Sequence, residues 1–230
     1  CRHPAPQGDP PMPARLIVCV VAAWCCFALP SIATAAVLIE VEKAGQPLRL
    51  VVDRAQQRVL LTTGATRVLV DLAGGAIYLQ QADGPAGRVP ARYRPGHFEP
   101  AAYRVERFGP GPVVAGQAGT YHVLFDEERV CAEAMLNDWM RPFVDPAVRA
   151  LALLEQLSVP GTGDGCAAIP FATYAAAGWP LMAGKADRPT FVTKTIRFDY
   201  QPSPDELALP ARSRDATSDD VAGLIGLPPS

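Results

Sequence analysis

The chain has 230 residues, with 21 basic and 23 acidic side chains and a net charge of -2. Nucleic-acid binding takes most of its affinity from neutralised phosphates and shows a basic face, so this balance argues against that class of partner. The 195 residues that follow position 35 are enough for one domain of ordinary size with a real core.

Residues 1–11 precede Met12 and read as a segment outside the mature protein. Residues 12–35 read as a secretory signal. Arg15 supplies the positive start, Leu16 to Leu29 an uncharged apolar run, and Pro30 and Ser31 break that run ahead of Ala33-Thr34-Ala35, whose small side chains suit a signal peptidase. Cleavage is expected after Ala35, with delivery to the periplasm. A membrane anchor is the competing reading, but the run is short of the roughly 20 residues a bilayer core needs. Cys19, Cys25 and Cys26 follow Val18, Trp24 and Cys25, none of them the small residue that a lipidation site wants. No membrane span is expected after cleavage. The remaining chain has a net charge of about -3 and only three lysines.

Short alternating runs, each closed by a turn signal, then predict an antiparallel meander. Val37, Ile39 and Val41 alternate with Glu40 and Glu42 before the turn at Gly45 to Pro47, and Leu48, Leu50 and Val52 follow. Val59 and Leu61 precede Gly64; Val68, Val70 and Leu72 precede Gly74-Gly75; Ile77 and Leu79 come next. A spacing of about ten residues leaves no room for crossover helices. Gly84 to Pro112, rich in Pro, Gly and Arg, predicts a long loop, a mobile linker or a binding lid. Its Arg92, Tyr93, Arg94, His97, Phe98, Tyr103 and Arg104 could meet an anionic head or a membrane surface.

Strand character resumes at Gly119 to Asp126, and a polar turn leads into Val130 to Leu136. Asp145-Pro146, a capping residue followed by proline, predicts the start of a helix that Pro160-Gly161 stops. Pro170 to Ala177 predicts a short helix closed by Gly178 in a left-handed conformation. Trp179 to Lys185 and Thr190 to Tyr200 predict a final hairpin. Residues 211–230 read as a flexible tail, with one apolar turn at Val221 to Leu227.

Only Cys131 and Cys166 remain in the mature chain, and in an oxidising compartment a lone pair is most simply a disulfide. A redox or metal pair would want a shorter spacing. Chemistry is otherwise sparse: none of the five serines of the mature chain sits in a GxSxG elbow, and His97 and His122 are far apart with no metal-binding spacing. Gly184-Lys185 does not complete a phosphate loop, Asp164 alone makes no calcium loop, and Glu40, Glu42, Glu127 and Glu128 read as solvated charges. No catalytic residue, metal or cofactor is assigned, and a non-enzymatic role is expected.

The segments LIEVEKAGQPLRLVVD, RVLLTT, TRVLVDLAGGAIYL, VVAGQAGTYHVLF and VCAEAML, spread from residue 38 to 136, resemble small proteobacterial periplasmic proteins of unknown function. Those are similar to the LolA-like lipoprotein-carrier superfamily. The resemblance, taken over residues 36–210, implies a single α+β domain. Its sheet would be a curved, incomplete antiparallel barrel with two or three helices packed on one face. The arginine with which such carriers gate their helical lid is not assigned to Arg49 or Arg58.

Both faces of the early strands carry apolar side chains. Leu38, Val51, Leu60, Leu69 and Tyr78 lie on the second face and are the candidate ligand-binding residues; cover by the protein's own helices is the plainer explanation. The expectation is a binding or carrier module for an apolar or acyl ligand. The alternative is an envelope module with a self-filled core that engages another protein.

Overall fold

The computed structural model describes residues 35–82, 84–91, 103–157, 166, 169–185, 187–217 and 220. The expected signal segment up to residue 34, the Arg92 to Phe98 cluster, Asp164 and the turn at Val221 to Leu227 lie outside the described residues.

Twelve strands form one open sheet, in the order β12-β6-β5-β4-β3-β2-β1-β11-β10-β9-β8-β7. The meander comprises β1 (Ala36–Lys43), β2 (Gln46–Asp53), β3 (Arg58–Thr63), β4 (Thr66–Asp71), β5 (Ala76–Gln81) and β6 (Ala86–Pro90). β7 (Tyr103–Pro110), β8 (Thr120–Asp126) and β9 (Arg129–Asn137) follow, then two helices, then β10 (Trp179–Lys185), β11 (Arg188–Tyr200) and β12 (Ser213–Asp215). All pairings are antiparallel except that of β12 with β6. The expected antiparallel α+β sheet is therefore present, and it does not close into a barrel. The β1–β2 hairpin turns on Ala44 (φ 51°) and Gly45 (φ 78°), two positive-φ positions in a two-residue loop whose twist matches its strands.

Helix α1 (Arg141–Leu157) and helix α2 (Phe171–Ala177) pack on one face of the sheet. There Val144, Ala150, Leu151 and Leu154 of α1 and Phe171 and Tyr174 of α2 join Ile39, Leu50, Val52, Val59, Val70 and Ile77 in the main core. The Glu155 carboxylate on α1 accepts the Phe171 N–H at 2.8 Å, tying the two helices together. Burial pushes the Glu155 carboxyl above its ordinary range against the opposing charge of Lys43, and pushes the Lys43 ammonium down.

Four expectations are corrected. Helix α1 begins at Arg141, not at Asp145, and carries Pro146 inside it. The chain enters it through a turn in which the buried Asn137, the last residue of β9, accepts the Met140 N–H on its Oδ1 at 3.0 Å. The long loop shrinks, since β6 and β7 occupy both its ends, with Pro90 and Pro110 at strand termini where a missing N–H breaks no ladder. The tail is not free over its first residues: Ser213, Arg214 and Asp215 pair with Ala86, Gly87 and Arg88. A Cβ on Gly87 would stand 2.9 Å from that of Ala216, so only glycine lets the tail approach so closely.

Gly178 ends α2, but at φ 148° and ψ -179° instead of the left-handed helical region. A Cβ there would lie 2.7 Å from the Asn137 carbonyl carbon. At Gly178→Ala the clash and strain should therefore outweigh the roughly 1 kcal/mol at most that lost unfolded-state entropy would contribute to stability, for a net destabilisation of about 1 kcal/mol or more. Urea unfolding of the variant measures this.

Candidate ligand site

The five apolar residues singled out from the sequence form one line across the face opposite the helices. Leu38 pairs with Val51, Val51 with Leu60, Leu60 with Leu69, and Leu69 with Tyr78, each directly across the strand boundary. Cover by the protein's own helices, the plainer explanation for this face, is corrected: the described helices pack on the other one. The helix-covered face has its own row of Val37, Ile39, Val52, Val59 and Val70, and the named residues belong to a second cluster. Side chains alternate along a strand, so residues two positions away share the face of this stripe. On one side these are Glu40, Arg49, Thr62, Arg67 and Gln80; on the other, Ala36, Asp53, Arg58, Asp71 and Ala76.

The stripe is not wet. Leu38, Val51, Leu60 and Leu69 are at most 6% exposed, although neither described helix lies on them. Their cover is the segment that follows β11, residues 201–210, which crosses this face before β12 joins the β6 edge. Turns at Ser203–Glu206 and Asp205–Ala208 shape this strap, and Leu207, itself buried, drops onto the stripe. It is fastened by polar groups from four strands. The Arg49 guanidinium donates to Glu206 Oε1 at 2.6 Å and to the Tyr200 hydroxyl at 2.7 Å, and that hydroxyl donates to Glu206 Oε2 at 2.8 Å. Arg67 donates to the Glu206 carbonyl at 3.1 Å and Arg58 to the Leu207 carbonyl at 3.3 Å. Arg49 and Arg197 also lie against the Tyr200 ring, at 5.3 and 5.2 Å from its centre.

A groove of about 240 Å³ opens between the strap and the sheet, with Leu60, Leu69 and Tyr78 as its floor and Arg67, Gln80, Asp205 and Leu209 around it. Three of the five candidate residues thus reach open space. Leu38 and Val51 do not line the groove and are sealed beneath the strap. Arg49, Arg58, Arg67, Tyr200, Glu206 and Leu207 were not singled out as ligand contacts from the sequence. A signal for the arginines was present: Val51, Leu60, Leu69 and Tyr78 recur every nine residues, and so do Arg49, Arg58 and Arg67.

Burial pushes the Glu206 carboxyl up, but the hydrogen bonds from Arg49 and Tyr200 and the Arg49 charge outweigh it and hold the group below its ordinary value of 4.5. The sign follows. A depressed carboxyl stabilises the strap above the unfolded-state value and loses that contribution as pH falls through the folded one. Against the pull of burial, the Glu206 hydrogen bond holds the Arg49 guanidinium above its ordinary value, so it stays charged and the Glu206 proton governs the change. Protection factors for hydrogen exchange across 201–210 should fall below about pH 4.5, and Glu206→Gln should show low protection already at neutral pH.

Elsewhere the expected chemistry is thin. Cys131 and Cys166 are joined in a disulfide. Asp126 lies near both sulfurs, but a bonded cysteine pair leaves it as a single ligand, too few for a metal. His122 is buried on β8 with Nδ1 2.9 Å from the Thr120 carbonyl oxygen, a satisfied side chain. His97 lies outside the described residues.

No family model matches the chain, and no curated protein matches it. Among solved structures, one of PNGF-II in the C2 space group is similar, with a TM-score of 0.43 and 7% sequence identity; the likeness covers 83% of this chain and 32% of that one. The chain spans about a third of that protein's length, and a likeness at this level supports nothing about activity.

Proposed function

We propose that the chain is an exported, non-enzymatic binding or carrier module of the bacterial envelope that takes an apolar or acyl group on the strap-covered face of β1 to β5. The observation that carries the reading is the continuous stripe from Leu38 to Tyr78, closed by the segment 201–210 and partly open as a groove. The disulfide is compatible with an oxidising compartment such as the periplasm. We read the sheet as the curved, incomplete barrel of the LolA-like carriers, with the ligand on the face away from the helices. Native mass spectrometry of protein purified from its own host should reveal a bound apolar molecule. Protein that is empty, and that shows no thermal shift with fatty acids, would contradict the proposal.

A second reading, an envelope module that engages another protein, is favoured by the other end of the sheet. There β7 is the last strand among the described residues, and Phe108 (60% exposed), Val113 (67%) and Trp139 (58%) stand open. A cleft of about 510 Å³ lies beside them, lined by Arg107, Pro110, Gln117, Asp138 and Trp139. Edge strands and exposed aromatic side chains suit strand addition by a partner. A pull-down from envelope extracts that yields one protein complex without lipid would select this reading.

A further inference from the structure

We propose that the ligand of the strap-covered face is an apolar molecule bearing a carboxylate, and that the strap is its resident competitor. The inference rests on the binding reading above and names the chemistry of the occupant. Two consecutive residues of the strap show what the surface accepts. Glu206 places a carboxylate on the Arg49 guanidinium and the Tyr200 hydroxyl, and Leu207 places a branched alkyl group on the stripe. Their combined chemistry is that of a carboxylate with an apolar tail.

If the strap lifts, the stripe opens to water and Arg49 loses its carboxylate at the same moment. An uncharged apolar molecule covers the stripe but leaves that guanidinium without its partner, and charge-assisted hydrogen bonds are among the stronger polar contacts. A cation in place of Glu206 meets Arg49 and Arg67, which lie in one row, and is repelled. A carboxylate with an alkyl chain satisfies both needs. The groove beneath the strap, about 240 Å³, is smaller than the roughly 300–1,000 Å³ of ordinary small-molecule sites, so a long chain enters only by displacing the strap. The fastening suits displacement. It consists of one buried leucine, one ion pair and a few part-buried or exposed hydrogen bonds, a small set of contacts for a segment that opens locally before the domain unfolds.

The test compares three probes with the same tail, dodecanoate, dodecanol and dodecylammonium, each below its aggregation limit, by calorimetry and by hydrogen exchange across 201–210. Dodecanoate should bind the wild-type protein at least tenfold more tightly than dodecanol, dodecylammonium should be weakest, and dodecanoate binding should speed exchange in the strap. Glu206→Gln should raise dodecanoate affinity by weakening the competitor, and Arg49→Gln should erase the preference for carboxylate over alcohol. Equal affinity for dodecanoate and dodecanol would overturn the carboxylate inference and leave the apolar reading standing. Binding that leaves strap exchange unchanged would overturn competition by the strap. Failure of all three probes with both the wild-type protein and Glu206→Gln would end the apolar reading itself, and the inference with it.

Discussion

Replacing Trp179 with alanine is expected to lower the unfolding free energy by about 3–5 kcal/mol, a third or more of the stability of many domains. Trp179 is completely buried at the start of β10. Its ring meets Phe171 of α2 edge-on at 5.6 Å and Phe191 of β11 at 6.0 Å, so one side chain joins a helix to two strands. The indole N–H donates to Thr193 Oγ1 at 3.2 Å, and that hydroxyl donates to the Pro180 carbonyl oxygen at 2.9 Å. Truncation leaves a cavity and breaks the bond to a buried hydroxyl. Trp179→Phe keeps most of the volume and should cost clearly less. Chemical denaturation of the two variants separates cavity from hydrogen bond, and an alanine variant within 1 kcal/mol of wild type would show that this aromatic cluster does not hold α2 on the sheet.

Removing the Cys131–Cys166 bridge is the second large effect. The bond closes a separation of 35 residues and ties the start of β9 to the chain between α1 and α2. The loop-closure account gives about 3–4 kcal/mol for a ring of this size. The double replacement of both cysteines by serine should show that loss in guanidinium unfolding under non-reducing conditions. The same loss should appear in wild-type protein after reduction. If reduction leaves the midpoint unchanged, the bridge contributes nothing to folding in this chain.

Much of the sheet was legible because its strands are regular. Alternation with period two and a turn every nine or ten residues placed β1 to β5 and β8 to β11, and the same alternation separated Leu38, Val51, Leu60, Leu69 and Tyr78 from the helix-covered row. What covered them was not legible. The strap has no periodicity, only Leu207 and Leu209 among polar and proline residues, and its fastening unites residues about 140 to 157 positions apart. β12 is three exposed polar residues whose pairing depends on a partner strand hidden in a glycine- and proline-rich segment. Asp145-Pro146 imitated a helix start because proline is tolerated near the beginning of a helix, and this one had already begun at Arg141. Local pattern thus located the stripe, and long-range packing decided which face it occupied.

The central claim is that apolar ligands occupy the strap-covered face and not the space between sheet and helices. Photo-crosslinking with a diazirine-bearing dodecanoate, followed by peptide mapping, tests it directly. Adducts should fall on β3 to β5 around Leu60, Leu69 and Tyr78 and on the strap around Leu207 and Leu209. Adducts confined to Met140, Leu151, Leu154 and their neighbours on α1 would contradict it.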